Sequence, residues 1–132
     1  MKKGFTLVEI MIVVAIIALL AAIAIPNLLR ARLNANDSAA KADLQALVTA
    51  IESYAAANGE YPDEATDLTG ATPAYLNENM CAEGYSKHGY DFSCTLSTSS
   101  YSVTASAATC GTSGSKSYTV TTGNVWTTAD CS

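Results

Sequence analysis

From Ile10 to Leu29 the chain runs for twenty residues without a charged side chain, and only Asn27 among them is strongly polar. At about 1.5 Å rise per residue, such a run makes a helix roughly 30 Å long, the thickness of a bilayer's hydrocarbon core. Lys2 and Lys3 precede it. The positive-inside bias therefore holds the N-terminus in the cytoplasm and places everything after Arg30 beyond the membrane. An ordinary secretory signal peptide is the competing reading, because two lysines, an apolar run and the small residues of Leu20-Ala21-Ala22-Ile23-Ala24 imitate one. Two details argue against it. Glu9 sits at the entrance of the run, where a signal peptide gains nothing from a carboxylate, and the helical pattern continues well past the run. The signal-peptide reading would make the chain a secreted soluble binding module with its mature N-terminus after Ala24.

Chain length and charge narrow the rest. With 132 residues one domain with a modest core is expected. The net charge of −5 argues against a nucleic-acid partner, which would need a basic patch, and the longest run of basic residues is Lys2-Lys3. Cys81, Cys94, Cys110 and Cys131 all follow the apolar segment, an even count in a polar region that fits disulfides made outside the cytoplasm. Zinc would favour close C-x-x-C pairs, and the sequence has none.

After Arg30 the pattern becomes amphipathic. Leu33, Ala40, Leu44, Leu47, Ile51, Tyr54 and Ala55 trace one apolar stripe, which predicts a helix packed on a sheet of the same molecule. Asn58-Gly59 and then Tyr61-Pro62 stop it, so the helix is expected from about Phe5 to Asn58. Residues 60–87 read as a loop-rich connector with a short helical turn at Thr72–Leu76. Beyond it, Tyr90, Phe92, Cys94 and Leu96 alternate with polar residues, as do Tyr101, Val103, Ala105 and Ala107, and then Tyr118 and Val120. Turns fall at Ser97–Ser100 and Gly123-Asn124. The expected fold is α+β: a long N-terminal helix, in a membrane part and an amphipathic part, packed on a small antiparallel sheet of three or four strands. A last hairpin at Gly123-Asn124 would return Cys131 toward the start of the third strand. That makes Cys110–Cys131 the geometrically favoured bridge and leaves Cys81–Cys94, although four cysteines permit three connectivities.

The segment Met1 to Met11 (MKKGFTLVEIM) resembles the class III signal of type IV prepilins: a short basic leader, Gly4, Phe5, then Glu9 four residues later. The apolar run ending in Ala24-Ile25-Pro26-Asn27 is similar to that family's stalk helix. The resemblance is very specific over residues 1–33 and weak in the C-terminal half. It implies a leader of residues 1–4 cut by a prepilin peptidase between Gly4 and Phe5, and methylation of the new Phe5 amine. It further implies residues 5–30 as the transmembrane and filament-core helix, 31–59 as the amphipathic helix, and 60–132 as the disulfide-bonded head. The partners implied are other copies of the chain, the inner membrane before assembly, and the pilus assembly machinery. The implied destination is an extracellular pilus serving adhesion, motility or DNA uptake. A pseudopilin of a type II secretion system shares the motif and is the alternative.

Within that resemblance, Glu9 of an incoming subunit pairs with the Phe5 amine of a neighbour. An ionised carboxylate in a bilayer is costly and is normally functional and paired. Taken by itself, Glu9 has the plainer option of snorkelling to the interface or sitting protonated. Pro26 lacks an N–H and clashes with the carbonyl of Ala22, which kinks the helix or lets it unwind in a filament. Many relatives carry Gly where this chain has Ala18, and Ala favours helix more strongly.

Nothing in the sequence predicts catalysis. His88 is the only histidine, no nucleophile motif accompanies it, and no phosphate-binding glycine loop is present. Glu60, Asp63, Glu64 and Asp67 form an acidic cluster without the fixed offsets of a calcium loop, so it reads as a solvated surface. No metal and no cofactor are expected. Phe5 and Tyr54, the aromatics of the long helix, lie too far apart to stack.

Overall fold

In the computed structural model, which describes residues 2–132, the apolar run and the amphipathic pattern behind it form one helix, α1 (Leu7–Asn58). It passes unbroken through Pro26, although that residue has no amide to offer the carbonyl of Ala22. Gly59 ends it in the left-handed region (φ 82°), with its N–H donating to the Ala55 carbonyl at 2.8 Å. The described chain divides into two compact units, one ending at Arg32 and one comprising Leu33–Ser132.

In the second unit the sequence alternation becomes a sheet. After a short helix α2 (Ala65–Gly70) come β1 (Ser86–Lys87), β2 (Tyr90–Ser97), β3 (Ser100–Ala107), β4 (Lys116–Thr121) and β5 (Val125–Asp130). Each strand pairs antiparallel with the next, giving the order β1-β2-β3-β4-β5. Period-two patterning sends Tyr90, Phe92, Tyr101, Val103, Ala105, Tyr118 and Val120 to one face, where all are buried. There they join Ala40, Leu44, Leu47, Val48, Ala50 and Ile51 of α1 in one core. Ser93, Thr104, Thr119 and Thr127 lie in one row across four strands and belong to the opposite face.

Two details depart from the sequence expectation. The sheet has five strands, because Ser86 and Lys87 pair with Asp91 and Tyr90 around a two-residue turn. That turn needs positive φ at both positions, and His88 (53°) and Gly89 (78°) supply it. A histidine is not the usual residue there, so the hairpin gave no sequence signal. The short helix of the connector also lies at Ala65–Gly70, ahead of the Thr72–Leu76 stretch. Its first turn is tied by the Glu64 N–H donating to Asp67 at 3.2 Å, and it stops before Thr72 because Ala71 takes an extended conformation (φ −67°, ψ 157°).

Two buried phenols fasten the sheet to α1. Tyr90 donates to Asp37 at 2.6 Å, and Tyr101 donates to Glu52 at 2.6 Å while accepting the Asn124 N–H at 3.2 Å. Burial, and then the carboxylate acceptor, pushes both phenols well above their ordinary value. A raised folded-state value means the contribution is complete below the ordinary phenol range near pH 10 and is lost as pH rises through it. Urea unfolding in detergent should therefore show stability falling as pH is raised from 10 toward 12. Tyr101→Phe should flatten that fall, and an equal fall in the variant would assign it to other groups. Leu44, fully buried, should lose about 2–5 kcal/mol as Leu44→Ala in the same assay at neutral pH.

Candidate functional site

The region with the least conventional chemistry is the start of α1. Residues 2–6 precede the helix in irregular backbone, so the Gly4–Phe5 peptide is outside the hydrogen-bonded helix. No atom lies within 4 Å of where a Cβ on Gly4 would stand, and Phe5 is 86% exposed. Gly4, Phe5 and Glu9 come together, with Lys3, around one shallow hollow.

Glu9 is not a bare carboxylate in this subunit. Its Oε2 accepts the Thr6 N–H at 2.7 Å and the Thr6 hydroxyl at 2.7 Å, while the Thr6 Oγ1 accepts the Glu9 N–H at 3.2 Å. This reciprocal arrangement is a capping box, with Thr6 as N-cap and Glu9 three residues on. It satisfies amides that an apolar medium would leave costly, and it places a carboxylate at the positive end of the helix dipole. Thr6 escaped the sequence reading, though Thr6-Leu7-Val8-Glu9 spells the Ser/Thr-x-x-Glu pattern directly before an apolar run.

Beyond this cap the first unit has no internal partner for its side chains. Sixteen large apolar side chains between Phe5 and Leu29 are exposed. At about 1.5–3 kcal/mol for each such side chain buried, they represent on the order of tens of kcal/mol that only lipid or another apolar surface can recover. Among the described residues α1 is the one helix long and apolar enough to cross a membrane.

The remaining candidate residues sit in the second unit. Disulfides join Cys81 to Cys94 and Cys110 to Cys131, and among the described residues no cysteine is free. His88 lies with Nδ1 2.7 Å from Asp43 of α1, while Lys87 sits 3.4 Å from Asp43 and 2.6 Å from Glu78. Through these contacts Lys87 and His88 join the β1–β2 hairpin to Asp43 of the helix. Of the acidic cluster, Glu64 accepts the Thr66 hydroxyl at 3.2 Å and Asp67 caps α2. No group of three or more His, Cys, Asp or Glu gathers to hold a metal among the described residues.

Comparison with known proteins meets this geometry at the N-terminus. The prokaryotic N-terminal methylation motif family matches residues 1–25. The chain is 48% identical over 67 residues to the type IV major pilin protein PilA of Myxococcus xanthus, covering 51% of this chain and 30% of that protein. It is 54% identical over 59 residues to the type IV wide pilus major component PilA4 of Thermus thermophilus, covering 45% of each. It is 36% identical over 89 residues to the type II secretion system core protein G of Escherichia coli, covering 67% of this chain and 61% of that one. The matched stretches thus span between about a third and three fifths of these relatives' lengths. The chain thus matches the N-terminal methylation motif at its start and is similar, over these stretches, to type IV major pilins and to secretion protein G.

The cap itself is testable. Thr6→Val keeps the size of the side chain and removes the hydroxyl, which should cost the helix start about 1 kcal/mol. Hydrogen exchange of the Glu9 amide in detergent micelles should accelerate roughly fivefold, the equivalent of that energy at room temperature. Unchanged exchange would show that Thr6 is not the cap.

Proposed function

We propose that this chain is the structural subunit of a type IV pilus, stored in the inner membrane and polymerised through its N-terminal helix. The observation that carries this reading is the conjunction at α1. A methylation signal over residues 1–25 leads into a helix whose large apolar side chains from Phe5 to Leu29 are exposed. A soluble enzyme or binding module has no use for such a surface. A filament does, because helices of successive subunits can replace lipid around one another.

In this reading a prepilin peptidase cuts between Gly4 and Phe5 and the new Phe5 amine is methylated. The accessible, non-helical Gly4–Phe5 peptide supports that step. Residues 1–4 are then the leader, 5–30 the membrane and filament-core helix, 31–59 the amphipathic helix and 60–132 the head. Glu9 of an incoming subunit passes from its own Thr6 cap to the Phe5 amine of a neighbour, exchanging neutral donors for a cation in a low-dielectric setting. Pro26, already short of one helical hydrogen bond, is where α1 would yield during assembly. Adhesion, motility and DNA uptake are roles open to such a filament.

A pseudopilin of a type II secretion system is the second reading. It draws support from the match to secretion protein G, which covers 67% of this chain. Intact mass and N-terminal analysis of material sheared from the cell surface, beside the inner-membrane fraction, separates the two. Abundant surface protein beginning at methylated Phe5 is expected for the pilus subunit. The same end confined to the membrane fraction would favour the pseudopilin, and an N-terminus after Ala24 would overturn both.

Two variants test the stalk. Glu9→Ala should insert in the membrane normally and lose most or all filament yield; wild-type yield would defeat the Glu9–Phe5 pairing. Gly4→Glu should accumulate unprocessed at full length, and normal maturation would defeat cleavage at Gly4–Phe5.

A further inference from the structure

Asp37 is buried at 7% exposure, alone among the charged side chains described. It lies on α1 within the second unit, and nothing in the filament reading uses it. Its Oδ1 accepts the Tyr90 hydroxyl at 2.6 Å and the Ser115 N–H at 3.0 Å, and its Oδ2 accepts the Ser115 hydroxyl at 2.5 Å. One carboxylate thus ties α1, β2 and the loop before β4.

That loop, Thr109 to Ser115, is a compact strap. Its ends are closed by the Gly111 N–H to the Gly114 carbonyl at 2.8 Å and by the Thr109 N–H to the Ser113 hydroxyl at 2.8 Å. Asn36, beside Asp37, donates to the Ser113 carbonyl at 2.7 Å. The strap presses on the β1–β2 turn so closely that a Cβ on Gly114 would stand 2.5 Å from the Tyr90 ring. A Cβ on Gly89 would stand 2.8 Å from Ser113.

The strap also reaches the C-terminal cysteine. The Cys131 N–H donates to the Ser115 carbonyl at 3.1 Å, and Cys110 lies within the strap. Ser115 therefore gives its N–H and hydroxyl to Asp37 and its carbonyl to Cys131. We infer that Asp37 is a positioning residue for the Cys110–Cys131 disulfide: by seating Ser115 on α1 it holds the two cysteines in bonding register. The Cys81–Cys94 bridge, whose Cys94 lies mid-way along β2, makes no hydrogen bond to Asp37 or Ser115 among the described residues and is independent of them.

Electrostatics agree with this arrangement. Burial alone would raise the Asp37 carboxyl, but the Ser115 hydroxyl, the Tyr90 hydroxyl, the Ser115 N–H and the charge of Lys116 together hold it below its ordinary value. Tyr118, the other titratable side chain facing it, is pushed upward by burial and then by the Asp37 charge. The anion is the form the strap binds.

Linkage makes the inference measurable. If the anchored strap favours the closed disulfide, the closed disulfide favours the anchored strap by the same factor. Closure by glutathione disulfide converts two protein thiols to the protein disulfide and leaves two glutathione thiols, with two electrons and two protons passing to glutathione. The equilibrium constant is the effective concentration of one protein thiol at the other. The experiment is a glutathione redox titration of the full chain in detergent, with each cysteine pair read by alkylation and peptide mass. Asp37→Asn removes the charge and turns the Oδ2 acceptor that faces the Ser115 hydroxyl into an N–H₂ donor, and should lower the effective concentration for Cys110–Cys131 on the order of tenfold or more. Cys81–Cys94 should stay within about twofold. An unchanged Cys110–Cys131 value, or an equal fall at both pairs, would overturn the inference. If Asp37→Asn does not fold, Ser115→Ala removes a single donor, and the same two patterns decide.

Discussion

Leu44, Leu47, Val48 and Ile51 leave water by packing with the inner faces of β2, β3 and β4 in one core, which Leu68 of α2 and Met80 complete. Neither element is stable without the other. A helix of this composition is marginal in water without a packed face, and an antiparallel sheet with one apolar side needs that side covered. α1, joined by Leu68 of α2 and Met80, covers one face of the meander, and the outer face is left to Ser and Thr. Trp126 on β5 is only partly buried and lies beneath Lys41, 5.8 Å from its ring centroid, so the cover thins toward that edge.

Polar groups inside this core are few, and two of them close specific joins. Tyr90 and Tyr101 present apolar rings to the core and spend their hydroxyls on Asp37 and Glu52 of α1, fixing how the sheet sits along the helix. Edge-to-face aromatic pairs, Tyr61 with Tyr101 at 5.1 Å and Tyr85 with Phe92 at 5.7 Å, fill the spaces that short side chains leave. The two disulfides close loops between positions 81 and 94 and between 110 and 131, each worth about 2–4 kcal/mol in a small domain. In residues 5–30 the balance is reversed: the first turn of the helix is capped, its backbone lacks the one bond Pro26 cannot make, and its large apolar side chains are exposed.

Much of this was legible in the sequence because it repeats. The apolar run, the stripe from Leu33 to Ala55 and the alternation around Tyr90, Val103 and Val120 are periodic signals, and periodicity survives any detail of packing. The stop at Asn58-Gly59 and the turns at Ser97–Ser100 and Gly123-Asn124 were readable from residues suited to those conformations. Single-residue features were harder. The β1–β2 turn uses His88 where Asn or Asp would be the signal, and Thr6 was overlooked beside the more conspicuous Glu9. Asp37 resembles any polar residue of a helix until Tyr90 and Ser115, 53 and 78 positions away, come to meet it.

The sequence by itself determined the division of labour along the chain: an apolar helix for a lipid-like setting, an amphipathic helix with one face to bury, and strands with one face to cover it. Those properties depend on the order of side-chain types along the backbone, which is local and periodic. Only the tertiary structure decided which polar groups are matched. Asp37 with Ser115 and Tyr90, Glu52 with Tyr101, and Asp43 with His88 join residues dozens of positions apart. No local rule specifies such pairs, because each is set by how the sheet's register and the helix's rotation align when the core closes.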